Sequence, residues 1–532
     1  MLKQHHVPGA AFEAQERDAG CLLGTRVKLL NDVLALLKSH TSPHIIWIAG
    51  MAGTGKTSIA LTLCRMLWLD ESMFLGGSFF CSRSAGSIER TDVKRIIPTL
   101  TTLLARQQPW FASRLAKQIL ETPDVAHWSV RSQIEQLIER PLVELALETY
   151  YDGRIVFVID ALDECSNQSQ LRELIDSIAD FKSILPVKFL LTSRPEMHIR
   201  TTPISDPVLS SILRLHTVDM EQVSTDIRLY ISTKLAQGSK TKSWYSAHDV
   251  DALATLSGGL FIFASTVLKY ILDRPDDAGR LERLRKVTFA IIHSTVATNP
   301  LDRMYELVIN EASRSDQVDT DELEGMRKIL ACVLTARASL SVQALADLVG
   351  SSPDNLRGSL ERLHSLVHIP GDDAEPGVRI LHASFGDYMR ERATDHVRLV
   401  SSLGHDLLAD GCLRRMGWND LRFNISRSRS SYEPNVEFQP DSIPPSLMYA
   451  CIHWAHHIDA ASTRSAFDEM VERTFRRKFL FWLEVLSITG RVGIASGLLC
   501  IAGSAVSSFS FARKTARDCF TGQITGAGSI SS

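Results

Sequence analysis

The sequence predicts an α/β unit, a parallel sheet with helices on both faces, over roughly the first 220 residues, followed by a mostly helical region with one small mixed segment. Three observations carry this. Short β-branched apolar runs alternate with amphipathic helical stretches in the first part, and such alternation requires crossover connections and hence a parallel sheet buried on both sides. A segment of the form G-x-x-x-x-G-K-[ST] directly follows one of these runs. Beyond residue 221 the apolar spacing is that of helices almost throughout.

Composition bounds the function. The chain has 532 residues, 45% apolar and 22% charged, the profile of an ordinary globular protein long enough for several domains. Its 58 basic and 61 acidic residues leave a net charge of −3, so nothing electrostatic favours nucleic acid or an anionic membrane as partner. Nine scattered cysteines without a C-x-x-C pair suggest neither a disulfide framework nor a zinc finger. A reducing, cytoplasmic setting is the expectation. The first thirty residues carry charges throughout and show no secretory signal pattern.

Taken in order, residues 1–40 read as a linker and lead-in helix, with Val27, Leu29, Leu30, Val33, Leu34, Leu36 and Leu37 at helical spacing over 26–37. Residues 41–220 read as the α/β domain. Strands are predicted at 45–49, 78–81, 155–159 and 187–191, with a fifth run at 212–216 closing the sheet, and helices at 93–104 and 171–178 between them. Residues 221–300 form a helical domain. In 301–393, helices give way to β-like pieces at 366–369 and 378–381 flanking Gly371-Asp372-Asp373, a winged-helix pattern. Residues 394–490 are helical and rich in Trp, His and Leu, and 491–532 form a Ser/Gly/Ala-rich tail. No repeat of fixed period is present.

The chemistry concentrates at Gly50-Met51-Ala52-Gly53-Thr54-Gly55-Lys56-Thr57, which follows the first strand and opens a helical pattern at Ser58. Glycines let successive backbone N–H groups turn onto a phosphate, Lys56 adds a charge toward the β/γ oxygens, and the Thr57 hydroxyl is a ligand for Mg²⁺. Such a loop needs an acid at the tip of a neighbouring strand. The run at 155–159 ends in Asp160-Ala161-Leu162-Asp163-Glu164. Asp160 is the expected Mg²⁺ partner, while Asp163 and Glu164, just beyond, are placed to orient or activate water. Arg194, after the strand at 187–191, is a candidate for the γ-phosphate.

Several segments together resemble the NACHT-type members of the signal-transducing STAND P-loop ATPases, specifically the nephrocystin-type NACHT proteins of mushroom-forming fungi. They are Cys21-Leu22-Leu23-Gly24-Thr25-Arg26, the phosphate loop with the strand before it, Gly77-Ser78-Phe79-Phe80, Asp160-Ala161-Leu162-Asp163-Glu164-Cys165 and Thr192-Ser193-Arg194-Pro195-Glu196. Downstream, Gly259-Leu260-Phe261-Ile262-Phe263-Ala264 resembles the family's segment beside the adenine, and Leu381-His382-Ala383-Ser384-Phe385-Gly386-Asp387-Tyr388 resembles its winged-helix motif. The resemblance implies an intracellular switch of innate-immunity or incompatibility type that holds ADP at rest, exchanges it for ATP, hydrolyses slowly and oligomerises with itself or other NACHT proteins. It implies that His382 reaches the β-phosphate of ADP. Relatives commonly carry an effector module before this unit and a repeat sensor after it. About forty residues on either side leave no room for these, so a truncated regulator or decoy that binds full-length relatives is the alternative, with a turnover P-loop ATPase as the other.

Four further signals weigh less. The winged-helix segment, residues 322–392, holds eight basic and ten acidic residues, against a DNA-recognition role. His453 and His457 share a helix face at a spacing that can bind zinc, but no adjacent Cys or acid completes a set, and a packing cluster is the favoured reading. Arg427-Ser428-Arg429 is too short for a nucleic-acid tract. The uncharged stretch 492–512 contains Gly493 and Gly497 in a G-x-x-x-G pattern, yet its Gly and Ser content offsets its apolar residues, so a membrane span is disfavoured.

Overall fold

The computed structural model describes residues 2, 5–15, 19–83, 88–148, 153–181, 186–202, 204, 206, 210–215, 220–237, 244–292, 299–313, 320–370, 377–393, 401–417, 420–425, 427 and 443–505. The chain divides into two compact units, Met1–Met304 and Tyr305–Ser532.

The first unit is built on five strands, β1 (Ile45–Ala49), β2 (Met73–Phe80), β3 (Arg154–Asp160), β4 (Val187–Ser193) and β5 (Ser210–Arg214), in the order β2-β3-β4-β1-β5 with every pairing parallel. Helices α1 (Val27–Lys38) and α2 (Lys56–Trp68) flank β1 in sequence. Four more, α3 (Ile96–Gln107), α4 (Pro109–Glu121), α5 (Val130–Ile134) and α6 (Arg140–Glu148), lie between β2 and β3, and α7 (Gln168–Ala179) and α8 (Met197–Arg200) flank β4.

Side-chain alternation explains why the strands read as unbroken apolar runs. Ile45, Trp47, Ile155, Phe157, Phe189 and Leu191 face a core with Leu100, Phe111, Ile134 and Leu174 of α3, α4, α5 and α7. Their neighbours Ile46, Ile48, Val156, Val158 and Leu190 face a second core with Val33 and Leu37 of α1 and Ile59 and Leu63 of α2. β1, β2, β3 and β4 are buried on both faces, so no polar residue marks a solvent side there, whereas the edge strand β5 is only partly buried.

Two strand expectations shift. The run at 78–81 is the end of a longer strand that starts at Met73, its first half masked by Gly76 and Gly77, which are poor strand formers. The fifth strand runs from Ser210 to Arg214 instead of 212–216, and sits at the sheet edge beside β1. Residue 216 lies outside the described residues. The unit continues through α9 (Met220–Gln237), α10 (Ala247–Leu256), α11 (Phe261–Leu272) and α12 (Asp277–Ile292). A capping box starts α10: Ser246 Oγ accepts from Asp249 N–H, and the Asp249 carboxylate accepts from Ser246 N–H.

The division between the units falls within α13 (Pro300–Ala312). The second unit then contains α14 (Thr320–Thr335), α15 (Val342–Val349) and α16 (Pro353–Glu361), a two-residue antiparallel pair β6 (Val367–His368) and β7 (Arg379–Ile380), and α17 (Ala383–Asp387). A bridge from Leu340 to Val378 extends the ribbon. The Gly371-Asp372-Asp373 turn lies outside the described residues, as do residues 428 and 429 of the Arg427-Ser428-Arg429 loop.

Helices α18 (Ser401–Gly417), α19 (Pro445–Asp459), α20 (Asp468–Ile488) and α21 (Ala495–Ala505) complete the unit. Their core is aromatic: Trp454 packs on Phe475 at 4.5 Å, and the Trp482 indole N–H donates to Cys451 O at 2.8 Å. The uncharged stretch becomes the 11-residue α21, with 506–512 outside the described residues. Among the described residues no helix is long and apolar enough to cross a membrane.

Candidate functional site

The sheet order determines what meets at the site. Because β4 lies between β1 and β3, its tip stands between the glycine-rich loop that leaves β1 and the acids that leave β3. The loop is held at its start by the Gly50 N–H, which donates to Ser193 O at 3.2 Å. Gly53 and Gly55 take left-handed φ values of 79° and 91°, which let the chain turn back before α2 begins at Lys56. The first-turn N–H groups of α2, from Lys56 to Ser58, have no carbonyl four residues back within the helix and concentrate its positive end on the loop. The Lys56 ammonium donates to Gly50 O at 2.7 Å and Met51 O at 3.0 Å, folding over the loop. Burial pulls its pKa down, against the nearby Asp163 and Asp160 charges.

Asp160 is the hub. Its Oδ2 accepts the Thr57 hydroxyl at 2.8 Å, and its Oδ1 accepts the Thr192 hydroxyl at 2.5 Å. Thr192 Oγ1 in turn accepts the Ala161 N–H at 2.9 Å, fixing the left-handed turn (φ 59°) by which the chain leaves β3. Burial pushes the Asp160 carboxyl above the usual range, opposed by both hydroxyls and Lys56. Thr57 and Asp160 therefore present two adjacent hard oxygens, a donor set that suits Mg²⁺, which takes one or two protein oxygens and completes its shell with phosphate and water. Among the described residues no group of three or more His, Cys, Asp or Glu is arranged to hold a metal by itself.

The two further acids separate in role. Both oxygens of buried Asp163 are taken by Arg194: the backbone N–H donates to Oδ1 at 2.8 Å and the guanidinium Nε reaches Oδ2 at 3.2 Å. Asp163 thus sets the position of Arg194. Glu164 Oε2 accepts the Arg83 N–H at 2.8 Å, and burial, with Asp163 beside it, pushes its pKa up to about 7. Of the loop residues, Met51 is exposed, Ala52 lies between it and Gly53, and Thr54 Oγ1 donates to Met51 O at 2.9 Å.

Several neighbours were not assigned roles from sequence. Thr192 and Ser193 sit in the quoted Thr-Ser-Arg tip, where two hydroxyls ending an apolar strand were an available signal. Ser193 Oγ accepts the Trp47 indole N–H at 2.9 Å, tying β4 to β1. Arg83 pairs across some eighty residues of sequence, and nothing local announces it. Arg26 is buried, with a left-handed φ of 58°. Its N–H donates to Asp226 Oδ2 on α9 at 3.0 Å, its guanidinium donates to Thr54 O at 3.1 Å, and the same group lies 4.9 Å over the Phe261 ring of α11. Ile262 N–H donates to Gly53 O at 3.2 Å. The segment 259–264 is therefore a direct neighbour of the phosphate loop.

His382 belongs to the second unit, where it caps α17. Its Nδ1 accepts the Ser384 N–H at 3.1 Å and pairs with Ser384 Oγ at 2.6 Å, and that hydroxyl pairs with Tyr305 OH at 2.8 Å. In the same unit His457 is enclosed by His405 at 2.9 Å and Tyr449 OH at 2.7 Å, and buried His453 packs on the Tyr449 ring. This is a packing cluster.

Residues 24–194 match the family model described as nephrocystin 3, N-terminal. No curated protein matches the chain significantly. Solved structures with similarity include a signal transduction ATPase with numerous domains (STAND) with a tetratricopeptide repeat sensor from Pyrococcus horikoshii, 12% identical, covering 93% of this chain and 59% of that one, with a TM-score of 0.42. The chain thus spans less than two thirds of that protein's length. Cdc6p from Pyrobaculum aerophilum is 11% identical over 74% of this chain and 96% of its own, with a TM-score of 0.35. The Aeropyrum pernix Orc1 protein, solved in complex with DNA, is 14% identical over 68% and 89%, with a TM-score of 0.30. Residues 24–194, which contain the loop and the strand tips around it, are thus similar to the nephrocystin 3 N-terminal family.

Proposed function

We propose that the chain binds Mg²⁺ with ATP or ADP at the loop of residues 50–58 and works as a nucleotide-gated switch, slow in hydrolysis, in intracellular signalling of the immunity or incompatibility type, with oligomerisation as its output. The observation that carries this reading is the Thr57–Asp160 contact. A loop hydroxyl and a strand-tip carboxylate stand 2.8 Å apart beside the Lys56 ammonium, and these oxygens would hold Mg²⁺ next to the phosphates. When bound, the ion neutralises charge on the phosphate oxygens and holds them in one orientation. The backbone N–H groups and Lys56 bind the phosphates, Thr192 keeps Asp160 aimed at Thr57, and Glu164 takes a proton from the attacking water. Asp163 holds Arg194 toward the γ-phosphate.

The test is titration of Mg·ADP and Mg·ATP into the parent and Lys56→Ala by calorimetry. Loss of a charge-assisted contact worth roughly 1.5 to 3 kcal/mol should weaken both by about ten- to a hundredfold. Unchanged affinity would overturn the assignment. For His382 the reading rests on the sequence resemblance. His382→Ala should weaken ADP more than ATP if the imidazole contributes to the resting form, and should lower both equally, or only thermal stability, if its role ends with capping α17.

A further inference from the structure

Two thiols meet beside the acid turn. Cys81 directly follows the last residue of β2, and its N–H donates to Asp160 O at 3.1 Å. Cys165 closes the short turn Leu162–Glu164 that carries Asp163 and Glu164. Their Sγ atoms lie 3.6 Å apart. The same two segments are held together by Arg83, whose N–H binds Glu164 Oε2 and whose guanidinium donates to Asp163 O at 2.6 Å and Glu164 O at 3.3 Å. Residues 81–83 thus form a clasp on residues 162–165, with a thiol pair at one end and the Glu164 carboxylate at the other.

The pair differs from the other buried thiols. Cys64, Cys332, Cys412 and Cys451 are 0% exposed, whereas Cys81 and Cys165 each keep 4%, at the end of the core beneath α3 and α7 that adjoins the acid turn. A disulfide has an S–S length of about 2.05 Å, so the sulfurs need to close by about 1.5 Å, within reach of a turn joined to its neighbour by side-chain hydrogen bonds. The Cys165 contact and burial push the Cys81 thiol up, which disfavours its thiolate.

We propose that Cys81 and Cys165 are a peroxide-responsive modification site whose disulfide locks the turn bearing Glu164 and so controls hydrolysis without touching nucleotide binding. The hydrolytic half rests on the role of Glu164 proposed above; the disulfide itself does not. The oxidant is a peroxide, small enough to reach thiols that keep only 4% of their surface exposed. One sulfur attacks a peroxide oxygen, the O–O bond breaks, and a sulfenic acid and one water result. The second sulfur attacks the sulfenic sulfur, the S–S bond forms, and the S–O bond breaks to release the second water. Two thiols and one peroxide become one disulfide and two waters, and a thiol reductant reverses the modification.

The experiment treats the full chain with hydrogen peroxide, alkylates remaining thiols, and maps linked peptides by mass spectrometry, with exposed Cys500 as the internal control for oxidant exposure. The expected result is a Cys81–Cys165 linked peptide that dithiothreitol removes. Single-turnover ATP hydrolysis should fall about tenfold on linkage and recover on reduction, while ADP affinity stays within about twofold. Cys81→Ser and Cys165→Ser should not respond to peroxide. Oxidised Cys500 with Cys81 and Cys165 unlinked overturns the site. Linkage with unchanged hydrolysis, or an equal loss of hydrolysis in Cys81→Ser, overturns the control. A parent that binds no nucleotide before oxidation defeats the switch reading instead, and the linked peptide still decides the site.

Discussion

Gly53→Ala is the sharpest test of how the loop is built, because the structure fixes two separate costs. The φ of 79° lies in the left-handed region, where a Cβ adds about 1 to 2 kcal/mol. The added carbon would also stand 2.0 Å from Ile262 Cγ2 and 2.9 Å from Ile262 Cβ, well inside the roughly 3.5 to 4 Å of normal carbon contact. Relieving that overlap means moving α11 or the loop, and overpacking of this kind costs about 1 to 3 kcal/mol. Together the two effects should destabilise by roughly 2 to 5 kcal/mol and lower the melting temperature by roughly 4 to 10 °C. The assay is thermal unfolding followed by circular dichroism for parent, Gly53→Ala, Ile262→Ala and the double variant. Ile262→Ala removes the colliding Cγ2, the closer atom, but neither Cβ nor the φ penalty, so the double variant should be more stable than the sum of the singles by about 1 to 3 kcal/mol. Additivity within about 0.5 kcal/mol, or a Gly53→Ala protein that melts with the parent, would refute the contact.

Two pH dependences follow from the buried groups. Glu164, raised to about 7 mainly by burial, is protonated below that pH and ionised above it, so a step that uses it as base should accelerate as pH rises through about 7. Glu164→Gln should give a slower rate without that rising limb, and a parent-like single-turnover profile in the variant would remove Glu164 from the chemistry. In the second unit, burial, with Arg337 nearby, lowers His453 from 6.5 to about 3, so the unfolded chain binds a proton in a range where the folded one does not. Its contribution is present above pH 6.5 and lost as pH falls through the window from 6.5 toward 3, about 2 kcal/mol between pH 7 and pH 5. Burial lowers His457 as well, in the same direction. Urea midpoints read by tryptophan fluorescence should show this loss, reduced in His453→Leu; an equal loss in both proteins would contradict it.

What could be read from sequence was what the chain states locally. The strand cores at 45–49, 155–159 and 187–191 were legible because both faces of each strand are buried and the runs are unbroken. The start of β2 was not, since Gly76 and Gly77 interrupt the apolar signal where the chain passes close to α3. The meeting of the glycine-rich loop with Asp160 was legible because the loop's spacing calls for an acid at a neighbouring strand tip. The different partners of Asp163 and Glu164 were not, because they depend on which hydrogen-bond donor each one meets in space. Asp163 meets Arg194, thirty-one residues on, and Glu164 meets the Arg83 N–H, eighty-one residues back. Thr192 shows the intermediate case: its hydroxyl is visible at a strand tip, but its role follows from the order β3-β4-β1, which the linear sequence does not display.

That order also bears on how a ligand at the loop could be felt elsewhere in the first unit. The loop is attached on one side to the strand tips, through Gly50 to Ser193 and through Thr57 to Asp160. On its other side it is attached to the helices after the sheet, through Gly53 O to the Ile262 N–H and through Thr54 O to Arg26, which is itself bound to Asp226 of α9 and stacked on Phe261 of α11. The glycine at position 53 leaves no side-chain layer between loop and helix to absorb a displacement. An ångström of movement at residues 51–54 must therefore shift α11, break the Gly53–Ile262 bond, or turn the Arg26 guanidinium off the ring. Nucleotides that differ by one phosphate shift an equilibrium only as far as they differ in contact energy with its two states. On the switch reading proposed above, a difference felt at Lys56 and Thr57 would reach α9 and α11 through two short, separately testable connections, one steric at Gly53 and one electrostatic at Arg26.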